Sequence, residues 1–346
     1  MSGGRDAAAP VRDRVGSPAR AAGLLVSLGL LAAACVLSVA VGSALIPPGE
    51  VLRAFTAPDG SISQITITEV RVPRTLLGLL VGAALGAAGA LMQALTRNPL
   101  ADPGILGVNA GAALAVSLAV AIFGLVEVRD HLAWAFGGAL LGTVLVYAIA
   151  SRGRGGATPV RLTLVGTALS AVFIGLSQSL TLVDPTVFDR MRFWNVGSVT
   201  DRPAGTIGAV LPFVVAGLLL ALVSTRALNA LALGDEVARS VGVPLRTTRA
   251  VGVLAVVLLC GSATAAAGPI AFVGLMVPHA VRWLTGPDQR WVVPYALVLA
   301  PALVLLADVV GRLMVWPAEV QVGVVTPLLG APVLVAMVRR SSRSSW

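Results

Sequence analysis

Between Arg74 and Arg97 the chain carries no charged side chain: residues 75–96 read TLLGLLVGAALGAAGALMQALT. A helix needs about 20 apolar residues to cross the hydrocarbon core of a bilayer. Inside lipid only a helix or a closed barrel satisfies every backbone polar group. A run of this length without alternation therefore reads as a membrane-crossing helix. It is one of a series, at about 22–46, 74–95, 103–126, 132–150, 161–183, 204–223, 250–267, 270–284, 291–310 and 322–338. Charged residues make up 12% of the 346-residue chain and the mean hydropathy is +0.91, whereas soluble domains carry roughly 25% charged residues. The expected fold is an all-α polytopic membrane protein of about ten transmembrane helices. It forms one unit at 22–338, with a disordered polar tail at 1–21 and a second tail at 339–346.

All 25 basic residues are arginine. Without lysine the chain cannot supply the P-loop residue that reaches nucleotide phosphates, so it is not an ATP-hydrolysing enzyme, and ATP-driven work requires a partner subunit. The arginines also orient the chain. With the N-terminus inside, seventeen fall on the inner side and eight on the outer, which places both termini in the cytoplasm.

Cys35 and Cys260 lie within apolar runs and form neither a disulfide framework nor a metal spacing. His131 and His279 fall on opposite sides of the membrane, and neither H-E-x-x-H nor G-x-S-x-G occurs. No cofactor, metal site or nucleic-acid partner is expected.

Gly78, Gly82 and Gly86 repeat every fourth residue within the second run, placing bare backbone along one helix face where a neighbouring helix can approach closely. The outer piece at 49–70 contains Ile62, Ile65 and Ile67, read as a short strand or an interfacial segment. In the inner loop, 224–249, residues 233–244 (LGDEVARSVGVP) form a compact helix signal. Asp235 can cap its start and Glu236 lies near its positive end; Gly242 suits the C-terminal cap and Pro244 stops the helix. Val237 and Val241 share one face, giving either a docking peg for a cytoplasmic protein or an ordinary amphipathic loop helix. In the fifth run Thr163, Thr167, Ser170, Ser177 and Thr181 fall on one stripe. Such a stripe can line a wet passage, bond back to its own helix, or hold helices together.

Arg71, Arg74 and Arg312 sit at the outer end, where cations are not expected to collect. Headgroup contact, a local Asp308–Arg312 pair, or an acidic partner or anionic substrate each account for them. Asp308 also admits a rival reading as the protonatable group of a secondary transporter; a membrane enzyme or scaffold is a third.

Several strings in order resemble the FecCD family of ABC importer permeases: RVPR at 71–74, GALMQALTRNPLADPGILGVNAG at 89–111, WNVGS at 194–198, LGDEVARSVGVP at 233–244, GPIAFVGLMVPHAVRWLTGPDQR at 268–290, ADVVGR at 307–312 and AEVQVGVVTPLLGAP at 318–332. The later strings are most similar to the ferric-enterobactin branch.

The resemblance implies a ten-helix permease in the bacterial cytoplasmic membrane, paired with an identical or paralogous second permease subunit. Two ATP-binding cassette ATPase subunits bind inside, and an extracytoplasmic solute-binding protein docks outside. It implies binding-protein docking at Arg71, Arg74, Arg312 and Glu319, and a cytoplasmic gate at Asn98, Pro99 and Leu100. It further implies an ATPase coupling helix made by Gly234, Asp235, Glu236, Val237, Ala238, Arg239, Val241 and Gly242. The family's second gate element corresponds to Thr158-Pro159-Val160, where the expected hydroxyl pair is not intact. The cargo implied is a ferric siderophore, catecholate by the branch, with haem or cobalamin as alternatives.

Overall fold

The computed structural model describes residues 17–42, 46–57, 59–125, 128–152, 158–315 and 318–343. Most of the 1–21 tail, the middle of the basic turn at 151–156 and the extreme C-terminus lie outside these. Among the described residues every regular element is helical. In chain order these are α1 (Ser17–Ala40), α2 (Pro48–Thr56), α3 (Ile62–Ile65), α4 (Val72–Thr96), α5 (Val108–Phe123), α6 (Val128–Ser151), α7 (Pro159–Val183), α8 (Pro185–Trp194), α9 (Thr206–Ala232), α10 (Asp235–Ser240), α11 (Leu245–Ala267), α12 (Val273–Thr285), α13 (Gln289–Met314) and α14 (Val322–Arg343). Ten of them match the ten apolar runs. Among the described residues, seven helical segments are long and apolar enough to cross a bilayer, and α5 and part of α14 form shorter apolar helices.

α4 is the centre of the bundle. It packs against α9, α11, α12 and α13, while α5, α6 and α7 form a second group joined through α11. The glycine face sets the spacing. A Cβ on Gly82 would lie 2.4 Å from Pro301 Cα, and one on Gly86 would lie 2.6 Å from Ala296 O. Gly89 continues the face onto α12, where an added Cβ would stand 1.8 Å from Gly274 O. In lipid, where apolar burial gives no drive to associate, such backbone contact is the main source of helix affinity.

Several local expectations change. The 49–70 segment is helical: α2, α3 and a π-helical turn at Thr66–Arg71 run into α4. Ile67 is buried, while Ile62 and Ile65 are exposed. Ile62 and Ile65 are three apart, which puts them on one face of a helix but on opposite faces of a strand. The polar excursion after α7 folds into α8, capped by Asp184 accepting from Thr186 N. The 224–249 loop is shorter than expected because α9 extends to Ala232 and α11 begins at Leu245; polar residues continue a helix readily once it leaves the hydrocarbon.

Candidate functional site

Two polar constellations stand at opposite ends of α4. At the Arg74 end, α1 finishes at Ala40 with carbonyls that have no partner within the helix. Arg71 donates from Nη1 to Val39 O at 2.9 Å and Ala40 O at 2.8 Å. Arg312 donates from Nη1 to Ser38 O at 2.7 Å and Val41 O at 2.8 Å. Two guanidiniums from other helices thus supply the positive charge a helix C-terminus favours. Asp308 joins the set: Arg74 donates to it from Nε at 3.0 Å and from Nη2 at 2.7 Å, and Arg312 from Nε at 3.1 Å. Arg74 Nη1 also donates to Glu319 Oε2 at 2.7 Å.

Three of the four expected docking residues are enclosed. Arg71, Arg74 and Arg312 are 4%, 7% and 1% exposed, so they do not stand out as free cations, nor do they meet lipid headgroups. Their charge is engaged in joining α1, α4, α13 and the segment before α14. Glu319 is 27% exposed. Beside it opens a cleft of about 560 Å³, lined by Arg74, His131, Arg190, Trp194, Arg202 and Glu319 among others. The local Asp308–Arg312 pair is present, but Asp308 is shared with Arg74, from which 234 positions separate it.

At the Asn98 end, α4 stops at Arg97, a non-glycine residue in the left-handed conformation with φ 52° and ψ 31°. The next residues turn sharply: Asn98 Oδ1 accepts from Leu100 N at 2.9 Å, an Asx turn, and Pro99 locks the backbone between them. Leu100 is 42% exposed. This is a stiff turn with an apolar tip. Thr158, at the suggested second gate element, caps α7 by accepting from Arg161 N, and Val160 is exposed.

α10 lies beyond the bundle at this end. Val237 and Val241 are 45% and 64% exposed while Ala238 is fully buried; the apolar edge faces away from the protein. Gly242, at φ 81°, closes the helix, with Val243 N donating to Ala238 O at 2.9 Å. Asp235 does not cap the start as expected. Gly234 holds that position without a side-chain bond, and the Asp235 carboxylate instead accepts from Arg97 Nη2 and, at 2.8 Å, from Arg249 Nη2. Partial burial acts to raise its pKa, but the bonds from the two arginines outweigh that and hold the carboxyl below its usual range. Sequence reasoning missed Arg97 and Arg249. The available signal was an arginine, rather than glycine, just where the uncharged run 75–96 ends.

The hydroxyls of α7 mostly turn inward on their own helix. Thr163 donates to Pro159 O at 3.0 Å, Thr167 to Thr163 O at 2.8 Å and Thr181 to Gln178 O at 2.7 Å. The buried Ser170 and Ser177 hydroxyls lack a partner among the described residues. The stripe runs from exposed at Thr167 to buried at Ser177, along the border of a helix whose other face is exposed and apolar at Leu164, Val172 and Leu176.

The FecCD transport family model matches residues 30–340. The chain belongs to the FecCD transport family. The permease is 50% identical over 315 residues to the ferric enterobactin transport system permease protein FepD of Escherichia coli (strain K12), covering 91% of this chain and 94% of that protein. It is 37% identical to the hemin transport system permease protein HmuU of Yersinia pestis, over 78% of this chain and 82% of that protein. Its fold matches an inward-facing metal-chelate type ABC transporter chain with a TM-score of 0.79 at 26% identity, covering 92% of this chain and 99% of that one. It is therefore a multi-pass membrane permease of the ABC importer class, and not itself an enzyme.

Proposed function

We propose that this permease carries a ferric siderophore of the catecholate type across the bacterial cytoplasmic membrane, with both its termini inside. A separate ATPase pair drives it, and a solute-binding protein delivers the cargo. The observation that carries the drive mechanism is α10, a short helix outside the bundle whose exposed Val237–Val241 edge is covered by none of the described residues. An apolar edge of that size suits the groove of a cytoplasmic partner. The cargo assignment rests on the similarity to the ferric enterobactin permease over nine-tenths of the chain.

The Arg74 end is the docking side in this reading. Glu319 meets the binding protein at the mouth of the cleft it lines, whereas Arg74 acts from beneath by holding Glu319 and Asp308, and Arg71 and Arg312 fix α1 against α4 and α13. The apolar outer face of α7 is assigned to the second permease subunit, and the Asn98–Pro99–Leu100 turn to the inner gate. The hydroxyls at the border of α7 give the passage weak polarity, which suffices when the binding protein supplies the affinity.

Proteoliposomes holding the permease with a second permease subunit, an ATPase and a solute-binding protein test this. The expected result is ATP-dependent uptake of radiolabelled ferric enterobactin that an uncoupler leaves unchanged. Uptake of haem or cobalamin instead overturns the cargo, and uptake that follows a proton gradient overturns the drive. Val237→Asp with Val241→Asp is expected to abolish ATPase co-purification while the permease remains in the membrane. Co-purification at the wild-type level rejects the coupling role of α10.

A further inference from the structure

The geometry points to Arg97 as the positioning residue that links movement of α10 to the Asn98–Pro99–Leu100 turn. The inference rests on the roles just proposed for those two elements. Arg97 belongs to both at once. Its backbone is the left-handed residue that ends α4 and starts the turn. Its side chain reaches α9 and α10: Nε donates to Leu231 O at 2.7 Å, and Nη2 to Asp235 in the first turn of α10. No other described residue is shown to join the turn to α10 in this way.

The position is unusual for what it holds. Glycine adopts the left-handed conformation without the Cβ clash that an L side chain meets there. Arginine is the costlier residue for the turn itself, and its side chain makes no bond within the turn. Its side-chain hydrogen bonds go to Leu231 and Asp235, on the α9–α10 segment.

The second arginine gives the link a direction. Arg249, in the opening turns of α11, holds the same carboxylate through bonds of 3.0 and 2.8 Å from Nη2. It is 14 positions from Asp235, while Arg97 is 138 positions away. Arg249 therefore ties α10 to the adjacent helix, and Arg97 ties it to the distant gate. Because two cations share one carboxylate, Arg97 can hold α10 to the turn while the Arg249 bond stretches, so α10 moves with the turn against α11 without stranding the Asp235 charge. The Arg97 and Asp235 side chains are 35% and 30% exposed, which leaves room for that movement and keeps water near enough to solvate either group.

The test uses the complete transporter in proteoliposomes and reads cargo imported per ATP hydrolysed. Arg97→Gly removes the link while relieving the left-handed backbone, so the turn itself is retained. The expected result is continued ATPase co-purification with import per ATP reduced by about tenfold, within the range usual for coupling between two sites. Arg97→Lys, which restores a cation within reach of Asp235, is expected to recover most of that loss. An Arg97→Gly ratio equal to wild type overturns the inference while leaving the transport reading intact. Loss of ATPase co-purification from Arg97→Gly also overturns it, because Arg97 then serves only to hold α10 in place. Absence of ATP-driven import by the wild-type assembly overturns the transport reading and this inference together.

Discussion

Asp308→Ala is expected to lower the stability of the permease by about 3–5 kcal/mol, the usual cost of removing one member of a buried ion pair. Asp308 is 1% exposed and takes bonds from both Arg74 and Arg312. Deleting it strands two buried guanidiniums, with only the partly exposed Glu319 still on Arg74. Arg312 would keep its bonds to the end of α1, yet it would lose the one carboxylate it bonds directly. The measurement is the monodisperse fraction of detergent-solubilised protein after graded heating, beside wild type. Asp308→Asn keeps the shape and removes the charge, and should be destabilised as well. If Asp308→Asn instead melts like wild type but abolishes uptake, the carboxylate works as a proton site and the rival carrier reading gains its footing.

The second large effect belongs to one methyl group. Gly89→Ala puts a Cβ 1.8 Å from Gly274 O. The obstacle is backbone, so no rotamer change relieves it and α4 and α12 must separate. That separation also pulls on Gln93, which donates to Leu275 O at 2.9 Å and accepts from Arg282. Overpacking a tight core costs about 1–3 kcal/mol, sometimes more, and a shifted helix pair adds the lost hydrogen bonds. Gly29→Ala and Gly137→Ala are the controls, since a Cβ at either meets nothing within 4 Å. They should melt within about 0.5 kcal/mol of wild type. Equal melting of Gly89→Ala and the controls would show that the helices have slack the structure does not.

The contrast between these sites explains what could be read from the chain alone. The ten helices were legible because bilayer thickness imposes a run length that few other structures need. Gly78, Gly82 and Gly86 announced their face because helical spacing is local, and the exposed edge of α10 followed from two valines four apart. The Arg74 network was not legible. Arg74 and Glu319 are 245 positions apart, and nothing in either segment marks the other. The same distance problem misassigned Asp235: capping is the local use of an aspartate at a helix start, and only the fold brings Arg97 within reach of it. Arg71 and Arg312 stand out in the sequence as cations beside apolar runs, but their partners are the end carbonyls of α1, which a sequence shows only as the end of another apolar run.

The backbone seat of α4 against α12 and α13 has a mechanical consequence. A helix whose glycines rest on neighbouring backbone cannot spin about its axis or slide along it without prising those helices apart. It is a fixed post through the middle of the machine. Any signal between the two faces of the membrane must then travel as a tilt of whole helix groups about that post, and the parts free to swing are those hung from its tips.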